Sequence, residues 1–272
     1  MTGKEHADSV ALRRGGAIPI LGFGTWQIRG RLAREALNCA LQTGYRHIDT
    51  ATMYANEREV GRALADSGIL REELFITTKL LPDSSDVRRA IETSLSDLRL
   101  DFVDLWLIHW PPRRRARSLS LFEEMLSIRD EGVARAIGVS NYSIDEIEEL
   151  TVATGDIPEV NQIPWSPFLY DPAEEHELAR RHIVLEGYSP LKKSQLDHPV
   201  LVDIAAAVGR TPAQVVLRWH VQHGVVVIPK SADPARIAEN FDIFDFSLDT
   251  ASMEQLDEIA SPQNGNCPSS SR

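Results

Sequence analysis

The sequence predicts an α/β fold, a (β/α)8 barrel of the TIM type in a single domain, with a β-hairpin ahead of the first barrel strand. Three observations carry that prediction. Short apolar or β-branched runs alternate with helical patterns about eight times. The length, 272 residues, is one that such barrels commonly use for one domain. Several runs also end on a reactive side chain, as expected where parallel strands meet at a common rim. A doubly wound open sheet is the competing arrangement.

The elements follow in chain order. Val10-Ala11-Leu12 and Ala17-Ile18-Pro19, separated by Arg13-Arg14-Gly15-Gly16, read as a hairpin turning at the glycines. Candidate barrel strands cover 19–24, 45–48, 74–79, 103–108, 134–139, 158–162, 183–188 and 225–229. Leu37, Ala40 and Leu41 give an amphipathic helix that carries Cys39. Asp83 or Ser84 is placed to cap a helix whose apolar face is Val87, Ile91, Leu95 and Leu98. Ser143-Ile144-Asp145-Glu146 is a capping box, and Thr211-Pro212-Ala213-Gln214 is another with proline at the first helical position. The domain is read as 1–272, its polar end from Ser261 onward as a mobile tail.

The strand ends carry the chemistry. Asp49 and Tyr54 follow the second barrel strand, Lys79 closes the third and His109 closes the fourth. Each alone has an ordinary structural explanation, such as a salt bridge or a core phenol. Together, at the ends of three consecutive strands, they form a proton-donating group. A phenol near pKa 10 is a weak acid at neutral pH, and a nearby ammonium stabilises its anion. Lys79 supplies that cation, Asp49 holds Lys79, and His109 orients a substrate carbonyl toward Tyr54. Such a group protonates a developing alkoxide, which calls for a hydride donor.

Ser140, Asn141 and Gln162 offer groups suited to a carboxamide, and Tyr188 offers a face for a flat ring, so a nicotinamide fits. Asp233-Pro234 marks a helix start whose free N–H groups favour an anion, with Lys230, Ser231 and Arg236 around it. Arginine suits phosphate recognition, which favours NADP over NAD. Gly22-Phe23-Gly24 begins like a dinucleotide fingerprint but lacks the third glycine and the acidic residue behind a second strand. Gly22 and Gly24 are read instead as sites of close approach. Trp26, Met53, Trp110 and Trp165 are candidate walls for a substrate pocket.

Composition narrows the partners. A net charge of −11, from 29 basic and 40 acidic residues, argues against nucleic acid or an anionic membrane. No run approaches the roughly 18 apolar residues of a membrane span, and the first residues carry no apolar signal core. The two cysteines, Cys39 and Cys267, have no metal-ligand spacing, and no metal is expected. A cytoplasmic protein acting on a small carbonyl substrate is the expectation.

The motifs GFGTWQ at 22–27, GYRHIDTATMYANEREVG at 44–61, LDFVDLWLIHWP at 100–111, IGVSNY at 137–142, VNQI at 160–163, YSPL at 188–191 and IPKSADPARIAENFDIF at 228–244 resemble those of the aldo-keto reductase family. The likeness runs from about Ile18 to Leu256 and extends to the bacterial branch that includes diketo-gluconate and methylglyoxal reductases. It implies a catalytic tetrad of Asp49, Tyr54, Lys79 and His109. It also implies nicotinamide contacts from Ser140, Asn141, Gln162 and Tyr188, and a phosphate site at Lys230, Ser231 and Arg236. Glu239 and Asn240 then lie near the adenine, with Gly24, Thr25, Trp26, Ser189 and Leu191 along the cofactor. NADPH-dependent carbonyl reduction by a monomer is what the resemblance implies.

Three departures from the family pattern bear on substrate. Asn161-Gln162 runs into Ile163-Pro164-Trp165-Ser166-Pro167 rather than Glu-x-His-Pro. The loop after Trp110 is short and holds Arg113, Arg114, Arg115 and Arg117, which suggests attraction of carboxylate-bearing substrates. The C-terminal stretch that commonly covers the pocket is nearly absent, so an open pocket is expected. Two other functions compete: a nicotinamide-sensing regulatory subunit, and a lyase or isomerase using Lys79 as a Schiff base.

Overall fold

A computed structural model of the chain describes residues 9–260. Residues 1–8, and the segment 261–272 expected as a mobile tail, lie outside the described residues. Strands β1 (Ser9–Ala11) and β2 (Ala17–Pro19) pair antiparallel with Val10 opposite Ile18. Their turn runs through Gly15 and Gly16 at φ +106° and +80°, a backbone region that glycine enters without steric cost.

Eight parallel strands follow in chain order: β3 (Gly22–Gly24), β4 (His47–Asp49), β5 (Phe75–Leu80), β6 (Val103–Ile108), β7 (Ala134–Ser140), β8 (Val160–Pro164), β9 (Val184–Tyr188) and β10 (Val226–Ile228). The sheet curls until its edges meet. Leu21 bridges Val227, the Val227 N–H donates to the Ile20 carbonyl at 2.8 Å, and the Gly24 N–H donates to the Pro229 carbonyl at 3.0 Å. The open-sheet alternative is thereby excluded. The run expected as one strand over 19–24 is divided, because Pro19 has no N–H to carry a ladder onward and ends β2.

Among the described residues, ten α-helices surround the strands: α1 (Gly30–Thr43), α2 (Glu57–Asp66), α3 (Val87–Leu98), α4 (Arg115–Arg129), α5 (Ile144–Thr154), α6 (Pro172–Arg180), α7 (Pro199–Val208), α8 (Pro212–Gln222), α9 (Pro234–Phe241) and α10 (Thr250–Asp257). Both expected capping boxes form, at Ser143 with Glu146 and at Thr211 with Gln214. The cap of α3 is neither Asp83 nor Ser84. Asp86 accepts from the Arg89 N–H at 2.9 Å, which leaves Val87 as the first helical residue. Among the described residues, no single helix is long and apolar enough to cross a membrane.

Barrel strands are buried on both faces, and the two faces have separate cores. Outward residues such as Ile76, Trp106 and Ile137 pack under the helices. Inward residues Phe75, Leu105, Leu107, Ala136, Val160, Val184 and Val226 fill the lower barrel together with Leu12 and Ile18 of the hairpin. The hairpin therefore plugs the N-terminal end, and Arg13 and Arg14 anchor it to Asp156, each at 3.0 Å. With that end filled by apolar side chains, polar groups collect at the opposite mouth.

Candidate active site

Asp49 ends β4, and Lys79 lies next to last in β5, on the same inward face as Phe75 and Thr77. The Lys79 ammonium is fully buried. It donates to both Asp49 carboxylate oxygens at 2.6 and 2.7 Å and to the Thr50 carbonyl at 3.0 Å, and lies 3.5 Å from the Tyr54 hydroxyl. Burial alone pulls the ammonium toward neutrality, but the charge of the Asp49 carboxylate and its hydrogen bonds outweigh it and hold Lys79 charged.

Tyr54 closes a short 3-10 turn, Thr52–Tyr54, after which Ala55 takes φ +53°. Asn56, fully buried, pins this loop by donating to the carbonyls of Thr25 and Ile28, both at 2.9 Å. The Tyr54 hydroxyl differs from expectation in one respect. Burial raises its pKa more than the Lys79 charge lowers it, so the phenol is held protonated. His109, past the end of β6, lies 5.6 Å from Tyr54 between ring centroids and stacks flat on Trp110 at 3.8 Å. Burial, then the Lys79 charge, pushes its pKa down to about 3, so the imidazole is neutral. Its Nδ1 is buried without a partner, which leaves Nε2 as the nitrogen available for bonding.

Asp49, Tyr54 and His109 open onto a cleft of ≈ 530 Å³ at the C-terminal mouth of the barrel, slightly smaller than a second cavity of ≈ 570 Å³. The larger cavity lies beside the hairpin, away from the tetrad. The one at the mouth contains Asp49, Tyr54 and His109 together with Trp26, Met53 and Trp110, three of the four expected substrate-wall residues. Gly24, Ser140, Asn141, Gln162, Tyr188, Ser189, Leu191 and Lys230 also line it. Four non-glycine residues at strand ends, Gln27, Ala55, Asn141 and Ser189, have φ between 53° and 63°. Such strained backbone gathered at one mouth is a mark of functional loops.

The amide groups are already ordered. Tyr188 donates to Asn141 Oδ1 at 2.8 Å, Asn141 donates to the His109 carbonyl at 3.1 Å, and Ser140 donates to the Gln162 carbonyl at 2.7 Å. Gln162 Nε2 is committed to Asp49 Oδ2 at 2.8 Å, a bond that no local pattern announced. A carboxamide here would use the remaining Gln162 oxygen and the Ser140 lone pair. At the other end, Lys230 and Arg236 are exposed, with no ion pair between them and an acid among the described residues. Lys192 and Lys193 also enter the cleft, and the sequence reading missed both. Three lysines lining one cleft suit a diphosphate, so the residues present fit a nicotinamide dinucleotide.

Other expected residues are placed differently. Thr25 is buried and donates to the Asp49 carbonyl at 2.9 Å rather than lining the cleft. Ser231, Arg236, Glu239 and Asn240 lie beyond the cleft, on or beside α9. The first turn of α9 is less free for an anion than expected, because Asp233 accepts from the Arg236 N–H at 3.0 Å. Glu239 receives the Thr211 hydroxyl at 2.7 Å. Trp165 is no pocket wall: it is buried in the outer core, edge-on to Tyr170. None of the arginines at 113–117 lines the cleft, and Arg115 pairs with Glu149 while Arg117 donates to the Ser84 carbonyl. Among the described residues, no group of three His, Cys, Asp or Glu is arranged to hold a metal.

Comparison with known proteins accords with this geometry. The aldo/keto reductase family model matches residues 20–261. An aldo-keto reductase of Mycolicibacterium smegmatis is 43% identical over 260 residues, 94% of each chain. The methylglyoxal reductase DkgA of Escherichia coli K12 is 42% identical over 260 residues, again 94% of each. The crystal structure of an aldo/keto reductase from Brucella melitensis superposes with a TM-score of 0.90 at 40% identity, covering 93% of this chain and 99% of that one.

Proposed function

The chain belongs to the aldo/keto reductase family, and on that premise we propose that it reduces small aldehydes and ketones to alcohols with NADPH, Tyr54 delivering the proton. Membership makes it an oxidoreductase acting on carbonyl compounds. The observation that carries the finer reading is the buried Lys79 ammonium, held by Asp49 and set 3.5 Å from a protonated phenol that opens into the cleft.

The cofactor, when bound, supplies the hydride. The residues of the chain do the rest. His109, neutral, donates from Nε2 to the substrate oxygen and aims it at Tyr54. As negative charge grows on that oxygen, the Tyr54 hydroxyl gives up its proton, and Lys79 stabilises the phenolate that forms. Asp49 keeps the ammonium fixed, so no reorganisation is needed during the transfer. Trp26 and Trp110 give the cleft apolar walls.

NADPH over NADH is supported by Lys230 and Arg236, exposed cations where an extra phosphate would lie. The name of the DkgA relatives makes methylglyoxal a first substrate to test, alongside larger aldehydes, ketones and keto-acids. The same reading makes the protein a single-domain, cytoplasmic monomer, which light scattering tests for mass. The deciding experiment follows NADPH absorbance with that panel, using Tyr54→Phe as control. Turnover that drops at least about a hundredfold in the variant supports the reading. Binding of NADPH without turnover would favour a regulatory sensor instead, and failure to bind would sink the cofactor assignment.

A further inference from the structure

One layer below the Asp49–Lys79 pair, the barrel interior holds a second acid that the mechanism leaves unused. Glu186, in the middle of β9, is fully buried, and neither carboxyl oxygen has a hydrogen-bond partner in the described structure. It stands in register with Gln162 of β8, the residue that braces Asp49. The Gln162 amide is near enough to influence Glu186, but its bond geometry commits it to Asp49. On the other side, His47 Nε2 lies 3.6 Å from Glu186 Oε1 and is engaged by the Thr77 hydroxyl at 3.1 Å.

Gly22 completes the cage. A Cβ there would sit 2.5 Å from His47 Nδ1 and 2.8 Å from an Ile228 methyl, so the histidine ring fills the space a side chain would need. Glu186 thus lies beside His47 in the barrel interior, within electrostatic reach of the ammonium on which Tyr54 depends.

We propose that Glu186 is a positioning residue of the proton-transfer site, its charge acting through Lys79 to keep the Tyr54 hydroxyl protonated as the surroundings become alkaline. This rests on the assignment of Tyr54 as proton donor. The charge balance is simple. Burial, then repulsion from Asp49, holds Glu186 protonated up to about pH 8. His47 is neutral, its pKa pushed by burial down to about 3. Below that range Asp49 and Lys79 cancel each other.

Above it, Glu186 releases its proton to solvent and the barrel interior gains one negative charge. That charge offsets part of the Lys79 field, so the Tyr54 phenolate becomes less favourable and the hydroxyl persists. The other groups facing this layer are Thr77 and Lys79 from β5, Asp49 from β4, Gln162 from β8, Tyr188 from β9 and apolar Val226 and Ile228 from β10. Lys79 and Tyr188 are both shifted upward, away from that range. Glu57, a further buried carboxyl, faces outward to the hydroxyls of Thr78 and Ser94.

The test is a pH titration of the Tyr54 phenolate, read as the ultraviolet difference between each protein and its Tyr54→Phe partner. Glu186→Gln should ionise Tyr54 about half a pH unit or more below the parent, roughly a threefold gain in phenolate at fixed pH. The alkaline limb of kcat/KM for carbonyl reduction should move down with it. A merely structural role would lower the amplitude and leave both titrations in place, and coincident titrations would overturn the proposal.

If Glu186→Gln does not fold, infrared titration of a Glu57→Gln background decides instead. A protonated carboxyl band must disappear near pH 8, and must shift in position when Glu186→Asp is introduced; absence of either overturns the proposal. The phenolate titration needs neither cofactor nor substrate. A phenolate shift without carbonyl turnover would therefore count against the reductase reading alone, and turnover without a shift against this inference alone.

Discussion

Gln162 donates its side-chain amide to Asp49 Oδ2 at 2.8 Å, joining residues 113 positions apart across the barrel. β8 and β4 are separated by three strands in either direction around the closed sheet, so the two residues meet across its interior. Lys79 holds the same carboxylate from β5. The carboxylate that fixes the ammonium is therefore itself fixed from the opposite wall.

Replacing Gln162 by Leu removes that brace and leaves one Asp49 oxygen without its amide donor. Stability should drop by about 1–3 kcal/mol, measured by urea unfolding. The kcat for carbonyl reduction should fall as well, because Lys79 no longer has a unique anchor.

Breaking the Asp49–Lys79 pair from one side should cost more than removing it. Asp49→Asn and Lys79→Met each leave a buried group without its counterion, with an expected loss of about 3–5 kcal/mol. The double variant should lose less than the two single losses added together. A double-mutant cycle by chemical denaturation checks this, and simple additivity would contradict the pairing.

His109 should leave no mark on the acid side of the pH–rate profile. Its pKa is pushed down to about 3, so it stays neutral throughout the range in which the enzyme is assayed. His109→Gln should lower kcat/KM for reduction without moving any inflection between about pH 5 and 7, the range of an ordinary histidine.

Lys230→Ala with Arg236→Ala should weaken NADPH binding by about ten- to a hundredfold, one to two charge-assisted contacts' worth. NADH binding should change far less. Fluorescence titration with both nucleotides checks the difference, and equal losses would place the extra phosphate elsewhere.

His223 supplies a stability switch away from the cleft. Its ring nitrogens lie 3.1 Å from Glu175 and 2.9 Å from Asp257. Burial lowers its pKa, but bonds and charge from these two acids more than compensate, and the net shift is upward. The stabilisation is therefore complete below the ordinary histidine pKa and is lost as pH rises through the raised one. The Tm gap between the protein and His223→Gln should shrink steadily from mildly acidic to alkaline buffer.

Local chemistry made a good part of the molecule readable. Ser143 with Glu146 and Thr211 with Gln214 act within one helical turn, so their capping boxes follow from neighbouring residues alone. Gly15 and Gly16 mark their turn for the same reason. Asp49, Lys79 and His109 were legible because each ends or nearly ends a strand, and parallel strands deliver such residues to one rim. Lys192 and Lys193 were not, since nothing in a loop's composition says which way it folds over a mouth.

What the sequence determined by itself was the alternation of elements, the hairpin and the types of side chain available at the rim. Those depend on contacts a few residues apart. The tertiary structure alone decided that Gln162 braces Asp49, that Glu186 faces His47 and that Trp165 packs outward into the core. A barrel strand is apolar on both faces, so its pattern is silent about which side chains point inward. Only closure of the sheet, bringing opposite strands within a hydrogen bond of one another, gives those residues their partners.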